Sequence, residues 1–219
     1  MATYTSRYPR TRRRTDDMVR KVRSIIDDAG INYLSITGRA KSPASFSDKV
    51  ARRASELGHT DFDPALDITD QVGVRIITYV HSDIEPVAQL LAENFTVLED
   101  RDMGRETASE GRFGYASRHM LISNDPSATA YDAAQCMSVQ LRTVLQHAWA
   151  EFEHDARYKG DVPAEFAHEL DRRFTLAAGL IELADREFSV IRDTLSSGLS
   201  QQGEGRFEDG LRVDPRELA

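Results

Sequence analysis

Cationic and hydroxyl side chains surround the start of a predicted helix in the segment GRAKSPASFSDKVARR, residues 38–53. They are Arg39, Lys41, Ser45, Lys49, Arg52 and Arg53. A helix N-terminus attracts anions, and nearby Lys and Arg side chains strengthen that attraction. Ser45, Lys49 and Arg52 are spaced four and three residues apart, so they share one helix face. The segment indicates a polyphosphate site, although an ordinary solvated basic helix has the same pattern.

Two opposite charges accompany the segment VGVRIITYV, residues 72–80, whose β-branched residues predict a buried strand. Arg75 lies inside this strand, and Asp70 lies just before it. Because an unpaired buried charge is costly, Arg75 either pairs with an acid or points from the sheet into a site. Asp70 can hold a magnesium ion, which prefers oxygen ligands and is often shared with substrate phosphates. An ion pair between Asp70 and Arg75 is the structural alternative.

The segment RFGYASRHM combines a glycine, an aromatic ring and two nitrogen donors. Gly114 lets a backbone approach a ligand closely, and Tyr115 offers a flat face for a nucleobase. Arg118 and His119 can donate hydrogen bonds to phosphate or ribose. An aromatic residue at a strand start is more often part of a core, so the segment alone is a weak indicator of a site.

The segment AAQCMSVQLRT predicts a strand with two chemically different faces. Polar or small residues alternate with apolar ones: Cys136, Ser138, Gln140 and Arg142 on one face, and Met137, Val139 and Leu141 on the other. The apolar set belongs against a core, so the polar set should face a ligand cleft. In the helix that follows, His147, Glu151 and His154 share one face. A metal site there is conceivable, but the spacing is not that of a metalloprotease.

The elements that must position these residues alternate between helix and strand. A helix is predicted from Thr15 or Asp16 to about Leu34, a second from Ser42, and a crossover helix over 82–95; strands are predicted over 72–80, 95–102, 115–123 and 133–143, with a loop over 102–114. This order predicts an α/β (α+β) fold, in which a mixed sheet is flanked by helices.

Both ends of the chain differ from this central domain, which we expect to span residues 16–160. Residues 1–15 form a basic arm, predicted to be flexible, that could contact RNA or a nucleotide. Residues 161–196 carry an almost heptad apolar stripe, typical of one long helix or two that pack on their own core or form an oligomer interface. Residues 197–219 are rich in Gly, Ser and charge, and predict a flexible tail.

Composition excludes several classes of protein. The net charge is −8, and because residues 1–23 hold eight Arg or Lys against two acids, the remainder carries about −14. Such an acidic body argues against general nucleic-acid coating. No apolar run approaches the roughly 20 residues of a membrane span, and no signal peptide pattern opens the chain. Cys136 is the single cysteine, so no intrachain disulfide forms and a reducing cytoplasm is the expected location.

Five motifs between Ile36 and Lys159 together resemble the synthetase domain of the RelA/SpoT family, especially its small alarmone synthetases. They are GRAKSPAS, DITDQVGVRI, GYASRH, VQLRT and HAWAEFEHDARYK, in family order and at family spacing. The resemblance implies a nucleotidyltransferase-like fold that moves pyrophosphate from ATP to the ribose 3′-oxygen of GTP or GDP. The products would be AMP and pppGpp or ppGpp. No alarmone hydrolase segment is expected, because the chain before Ile36 is too short to hold one.

The resemblance also implies a role for each matching residue. Arg39 and Arg75 would embrace the adenine of ATP, while Lys41, Ser45 and Lys49 would bind its phosphates and Asp70 would hold Mg²⁺. Tyr115 would stack on the acceptor guanine, His119 would contact the acceptor phosphates, and Gln140, Arg142 and His147 would line the acceptor side. The C-terminal helices resemble those through which small synthetases form homo-oligomers.

Ser138 departs from the family motif Glu-x-Gln-x-Arg-Thr, in which the glutamate is a magnesium ligand or a base for the 3′-hydroxyl. A serine neither accepts a proton readily nor offers a charged ligand, and losing a general base costs about 10²–10⁴-fold in rate. Three explanations stay open: an engineered inactive variant, a nucleotide-binding regulator without synthesis, or a base recruited from elsewhere, such as Glu151 or Glu153. A further alternative is a toxin-type relative that modifies adenine nucleotides or tRNA 3′ ends. Ala116 and Arg118 also differ from many members, which affects the choice of acceptor.

Overall fold

A computed structural model describes residues 2–57, 62–109, 114, 116–159 and 164–202. Within these ranges the helices are α1 (Ala2–Asp28), α2 (Pro43–Leu57), α3 (Pro64–Asp67), α4 (Ile84–Asn94), α5 (Met103–Ser109), α6 (Val144–Lys159) and α7 (Ala164–Gln202). The strands are β1 (Tyr33–Ala40), β2 (Val72–Thr78), β3 (Thr96–Asp102), β4 (Arg118–Ser123) and β5 (Cys136–Thr143). A short 3₁₀ helix, His81–Asp83, precedes α4.

The strands form one mixed sheet in the order β1-β2-β5-β4-β3. β2 and β5 are parallel, and the other three pairs are antiparallel. After β2 the chain passes through α4, β3 and β4, and it then returns to the centre of the sheet, where β5 pairs with β2. The predicted mixed α/β sheet is confirmed, and the four predicted strands are present with ends displaced by a few residues.

One face of the sheet forms the main core with α1 and α4. Met18, Val22 and Ile26 of α1 pack with Val87, Ala88 and Leu91 of α4 against the apolar faces of β2, β4 and β5. On β5 the buried residues in this core are Met137, Val139 and Leu141, as their alternation predicts. The polar residues of β5 therefore point to the opposite face.

Helix α1 differs from its predicted bounds at both ends. It begins at Ala2 instead of Thr15 or Asp16, so most of the expected arm is helical. It ends at Asp28 instead of near Leu34, because Gly30 takes a left-handed φ of 67°. The Ile31 and Gly30 N–H groups then bond the carbonyls of Ile26 and Asp27 at 3.3 and 3.0 Å, as in a Schellman cap.

The early helix end leaves room for β1, an unpredicted strand. Gly38 lies inside β1 and allows a close approach to α1. A Cβ atom at this position would lie 2.6 Å from the Cγ2 atoms of both Thr15 and Val19. The glycine is therefore required by the packing of the strand on the helix.

Two further segments can be compared with their predictions. Part of the expected loop 102–114 is the short helix α5. The segment predicted to be one helix or two is the single 39-residue helix α7, which extends to Gln202. Residues 203–219, where most of the predicted tail falls, lie outside the described residues. In the described part of the chain, no helix combines the length and apolar character needed to cross a membrane.

Candidate active site

A cleft of about 330 Å³ opens on the polar face of the sheet, over β1, β2 and β5. Its walls contain Thr37, Gly38, Arg39, Lys41, Asp70, Gly73, Val74, Arg75, Ser138, Gln140 and Glu151. Six of these were predicted as site residues from the sequence: Arg39, Lys41, Asp70, Arg75, Ser138 and Gln140. Residues that are far apart along the chain, such as Arg39 and Gln140, thus border one space.

Asp70 joins two lysines at one end of the cleft. Lys41 Nζ lies 2.8 Å from Asp70 Oδ2, and Lys49 Nζ lies 2.9 Å from Oδ1. Burial disfavours the charged carboxylate, but the hydrogen bonds and charges of the lysines outweigh it and lower the pKa of Asp70. The group is therefore ionised at neutral pH, and the three side chains carry a net positive charge that suits phosphates.

The backbone of Lys41 is held from two sides. Its N–H donates to the Gln71 carbonyl at 2.9 Å, and the Tyr4 hydroxyl donates to its carbonyl at 2.8 Å. The Tyr4 ring stacks on Phe46 of α2 with the ring centroids 3.9 Å apart. Ser42 Oγ accepts from the Ser45 N–H at 3.1 Å and caps α2. The first residues of α1 therefore support the start of α2 and the lysine beside it.

Arg75 makes an ion pair with Glu151 of α6 rather than with Asp70. Arg75 Nη1 lies 3.0 Å from Glu151 Oε1. The alternative prediction, an ion pair between Asp70 and Arg75, is therefore wrong. Arg75 lies opposite Gln140 in the β2–β5 register, and Gln140 lies opposite His119 in the β5–β4 register. One row of polar side chains thus crosses three neighbouring strands.

Comparison with known proteins now identifies the family. The family described as "Region found in RelA / SpoT proteins" matches residues 38–162, more than half of the chain. The chain belongs to the RelA/SpoT family. The matched region contains every lining residue of the cleft except Thr37.

Two curated RelA/SpoT relatives come from Bacillus subtilis (strain 168). GTP pyrophosphokinase YjbM is 29% identical over 161 residues, which are 72% of this chain and 71% of the relative. GTP pyrophosphokinase YwaC is 30% identical over 148 residues, which are 66% of this chain and 68% of the relative. The similarity therefore extends well beyond single motifs.

Solved structures support the fold. Small alarmone synthetase 1 from Bacillus subtilis superimposes with a TM-score of 0.69 at 24% identity, covering 90% of this chain and 100% of the other. A GTP pyrophosphokinase family protein from Streptococcus pneumoniae gives 0.69 at 22% identity, covering 90% and 97%. At this identity the likeness establishes a shared RelA/SpoT fold.

A second group of predicted residues lies on the same polar face of the sheet, on strands β5 and β4. Arg142, only 5% exposed, contacts Gln140 Oε1 and Ser117 Oγ, each at 3.4 Å. Burial lowers the pKa of His119 to about 4, helped by the charges of Arg142 and Arg101 and opposed by Glu106. His119 is therefore neutral at physiological pH.

His147 and Glu151 lie one turn apart on α6, above the same row. His147 Nδ1 is 3.7 Å from Glu151 Oε1, and Arg142 Nη1 is 3.9 Å from that oxygen. Burial lowers the pKa of His147, with Arg75 and Arg142 acting in the same direction and Glu151 against it. Three nitrogen-bearing side chains thus surround one carboxylate at the edge of the cleft.

Three predicted residues have other surroundings. Ser45 Oγ lies 3.0 Å from Ser42 Oγ, at the start of α2. Arg118 is outside the lining of this cleft and donates hydrogen bonds to Asp100 and Glu85 at 2.6–2.8 Å. Tyr115 lies outside the described residues.

The donors at Asp70 fit a magnesium ion that is shared with a ligand. Mg²⁺ is commonly held by one or two carboxylates together with substrate phosphates and water. Asp70 Oδ1 is buried and accepts no well-directed hydrogen bond, although Lys49 is close. Among the described residues no group of three or more His, Cys, Asp or Glu could form a complete metal cage. The His147–Glu151–His154 arrangement, conceivable from its helical spacing, is therefore not a metal site among these residues.

Sequence reasoning overlooked part of the cleft wall. Gly73 was treated only as a member of a strand, yet a glycine inside a strand often marks a close approach of backbone and ligand. Thr37 belongs to the strand that was not predicted. Glu151 was named only as one of two substitute bases. It is among the lining residues of the cleft, whereas Glu153 is not.

Proposed function

We propose that the chain is an alarmone synthetase of the GTP pyrophosphokinase type. It transfers pyrophosphate from ATP to the 3′-oxygen of GTP or GDP and releases AMP. The relatives named GTP pyrophosphokinase support this activity, as does the small alarmone synthetase 1 structure bound to its product pppGpp. The observation that carries the proposal is the cleft in which Lys41 and Asp70 border the same space as Arg75 of β2 and Gln140 of β5.

The donor nucleotide occupies the wall formed by β1, α2 and β2. Arg39 and Arg75 flank its adenine, and their planar guanidinium groups are suited to stacking on a base. Lys41, Ser45 and Lys49 bind its phosphates at the start of α2. Support comes from the 2.8 and 2.9 Å contacts that hold both lysines at the cleft end.

Asp70 is the carboxylate that binds Mg²⁺ in this proposal. When bound, the ion would neutralise phosphate charge during transfer. The protein's own share is to hold Asp70 ionised and to supply the lysines that align the triphosphate. The donor set at Asp70 supports a metal that is bound jointly with ATP.

The acceptor nucleotide occupies the side formed by β4, β5 and α6. Tyr115 stacks on its guanine, while His119 and Arg142 donate to its phosphates. Gln140 and His147 position its ribose and base edge. The close packing of Arg142 on Gln140 at 3.4 Å supports a preorganised acceptor wall.

Four broader features belong to the same proposal. The synthetase domain spans residues 16–160, flanked by a basic segment 1–15, a helical segment 161–196 and a tail 197–219. The chain acts as a homo-oligomer through α7, and in the cytoplasm. The basic arm at Arg10–Arg14, in which Arg10, Arg12 and Arg13 are exposed, is the surface on which tRNA would bind if it were an acceptor.

The proposal is tested by incubating the purified chain with labelled ATP, Mg²⁺ and either GTP, GDP or tRNA. We expect AMP and a guanosine 3′-diphosphate product, identified by mass spectrometry. Asp70→Asn should lower kcat/KM at least about 10²-fold, because it removes a preorganised charge. Asp17→Asn, which breaks an exposed pair with Arg20 on α1, is the control and should keep full activity. Transfer to tRNA alone, or none to any guanine nucleotide, would refute the proposal.

A further inference from the structure

We infer that Glu151 is the general base of the transfer reaction and takes the proton from the acceptor 3′-hydroxyl. This inference rests on the proposed function. Attack of a ribose hydroxyl on phosphorus requires a group that accepts its proton. Ser138 lines the cleft together with Gln140, but a serine hydroxyl is a poor proton acceptor at neutral pH.

Among the described residues that line the cleft, two are acids, Asp70 and Glu151. Asp70 is committed to Lys41 and Lys49 through both of its oxygens. In the proposed complex Asp70 lies beside the phosphates of ATP, where it would bind Mg²⁺ instead of contacting the acceptor hydroxyl. Glu151 is therefore the lining carboxylate that remains for proton transfer.

The fold brings Glu151 to the acceptor side. Helix α6 starts at Val144, directly after Thr143 ends β5, so its second turn returns over the polar face of the strands. There Glu151 Oε1 lies 3.0 Å from Arg75 of β2 and 3.9 Å from Arg142 of β5. These contacts orient the carboxylate above the row that contains Gln140. Its side chain is still 54% exposed, so a substrate hydroxyl can reach it.

Arg75 connects the base to the donor site. In the proposed complex the Arg75 guanidinium flanks the adenine of ATP, and this movement would release Glu151 from its closest cation. The carboxylate is then free to accept a hydrogen bond from the acceptor hydroxyl. Neutral His147, 3.7 Å from Oε1, can still support the carboxylate from the same helix.

The 3′-O–H proton passes to a Glu151 carboxylate oxygen while the 3′-oxygen forms a bond to the β-phosphorus of ATP. The bond between that phosphorus and the α,β-bridging oxygen breaks, and AMP leaves with the electron pair on its phosphate oxygen. Glu151 then returns the proton to solvent. The β- and γ-phosphoryl groups are thereby transferred as one unit.

Four forms of the full chain test the inference: the unchanged protein, Glu151→Gln, Ser138→Glu, and the double variant. We expect Glu151→Gln to lower kcat about 10²–10⁴-fold, with a small change in the KM for ATP. The double variant should recover most of the lost kcat, because a glutamate at 138 projects from β5 into the same cleft. Glu169→Gln, which breaks an exposed pair with Arg173 on α7, is the matched control and should leave kcat unchanged.

Normal kcat in Glu151→Gln overturns the inference, as does a raised KM for ATP alone, which would mean that Glu151 only orients Arg75. An equal loss with and without Ser138→Glu also overturns it. Activity in Ser138→Glu but none in the unchanged chain refutes the Glu151 inference and leaves the proposed reaction standing. Inactivity of both forms with every guanine acceptor refutes the proposed function itself.

Discussion

At the scale of single residues, His119 is a neutral imidazole at physiological pH. Burial, aided by Arg142 and Arg101, lowers its pKa to about 4, whereas a histidine in an unfolded chain titrates near 6.5. Because the folded pKa is the lower one, His119 contributes no pH dependence above about pH 6.5. As the pH falls from there towards 4, protonation favours the unfolded chain and the free energy of unfolding decreases. A neutral ring still has one N–H that can donate to a phosphate.

The predicted titration midpoint near pH 4 can be measured by NMR of the histidine ring protons, with His119→Gln used for assignment. Arg101→Gln should raise the midpoint, because it removes a positive charge and leaves Glu106 without its 2.6 Å partner. Arg20→Gln, which alters an exposed pair on α1, is the control and should leave the midpoint unchanged. A midpoint near 6.5 in the unchanged chain would contradict the burial of this ring.

At the scale of elements, α1 supports the end of the cleft that contains Lys41 and Asp70. The Tyr4 hydroxyl bonds the Lys41 carbonyl at 2.8 Å, while its ring stacks on Phe46. Burial, with the nearby Tyr8 and Asp70, raises the pKa of Tyr4 to about 12, so the phenol keeps its proton at any working pH. The contact therefore persists wherever the protein is folded, and it fixes Lys41 from outside the family-matched region.

Tyr4→Phe should weaken ATP binding while it preserves the ring stack. The lost hydrogen bond is worth about 0.5–1.5 kcal/mol, which corresponds to a KM for ATP roughly 2- to 10-fold higher. The KM for the guanine acceptor should not change. Tyr33→Phe, which loses a 2.9 Å phenol bond to Asp27 at the other end of β1, is the matched control. Equal effects on both KM values, or equal effects of the two variants, would show that Tyr4 contributes only to stability.

The elements also show what local sequence can predict. β2 and β5 are recognisable because their buried residues are β-branched or alternate strictly with polar ones. β1 is not, since Ile36 is the single buried residue in its eight positions and the strand depends on pairing with distant β2. The faces of Ser138 and Gln140 follow from strand periodicity alone. The position of Glu151 depends on the angle at which α6 leaves β5, which no local pattern encodes.

At the scale of the whole molecule, α7 has one face that belongs to this chain. Phe174, Ala177, Ala178 and Ile181 pack around Trp149 of α6, whose Nε1 donates to the Phe174 carbonyl at 3.3 Å. Further along, buried Asp185 accepts a 2.7 Å bond from Thr143 Oγ1, which ends β5. Of the two alternatives predicted for the apolar stripe, packing on the chain's own core therefore applies to this face.

The other face of α7 exposes six large aliphatic side chains, and we expect it to form a homo-oligomer interface. They are Leu176, Leu180, Leu183, Val190, Ile191 and Leu195, each 53–69% exposed. Burying a leucine side chain stabilises an interface by about 1.5–3 kcal/mol, so the double substitution Leu180→Glu with Leu183→Glu should dissociate the assembly. Light scattering after size exclusion would detect the smaller species, and circular dichroism would show that the fold is retained. Leu66→Glu, at a comparably exposed leucine on α3, is the control and should leave the mass unchanged. A monomeric mass for the unchanged chain at the concentrations used for assays would contradict this interface.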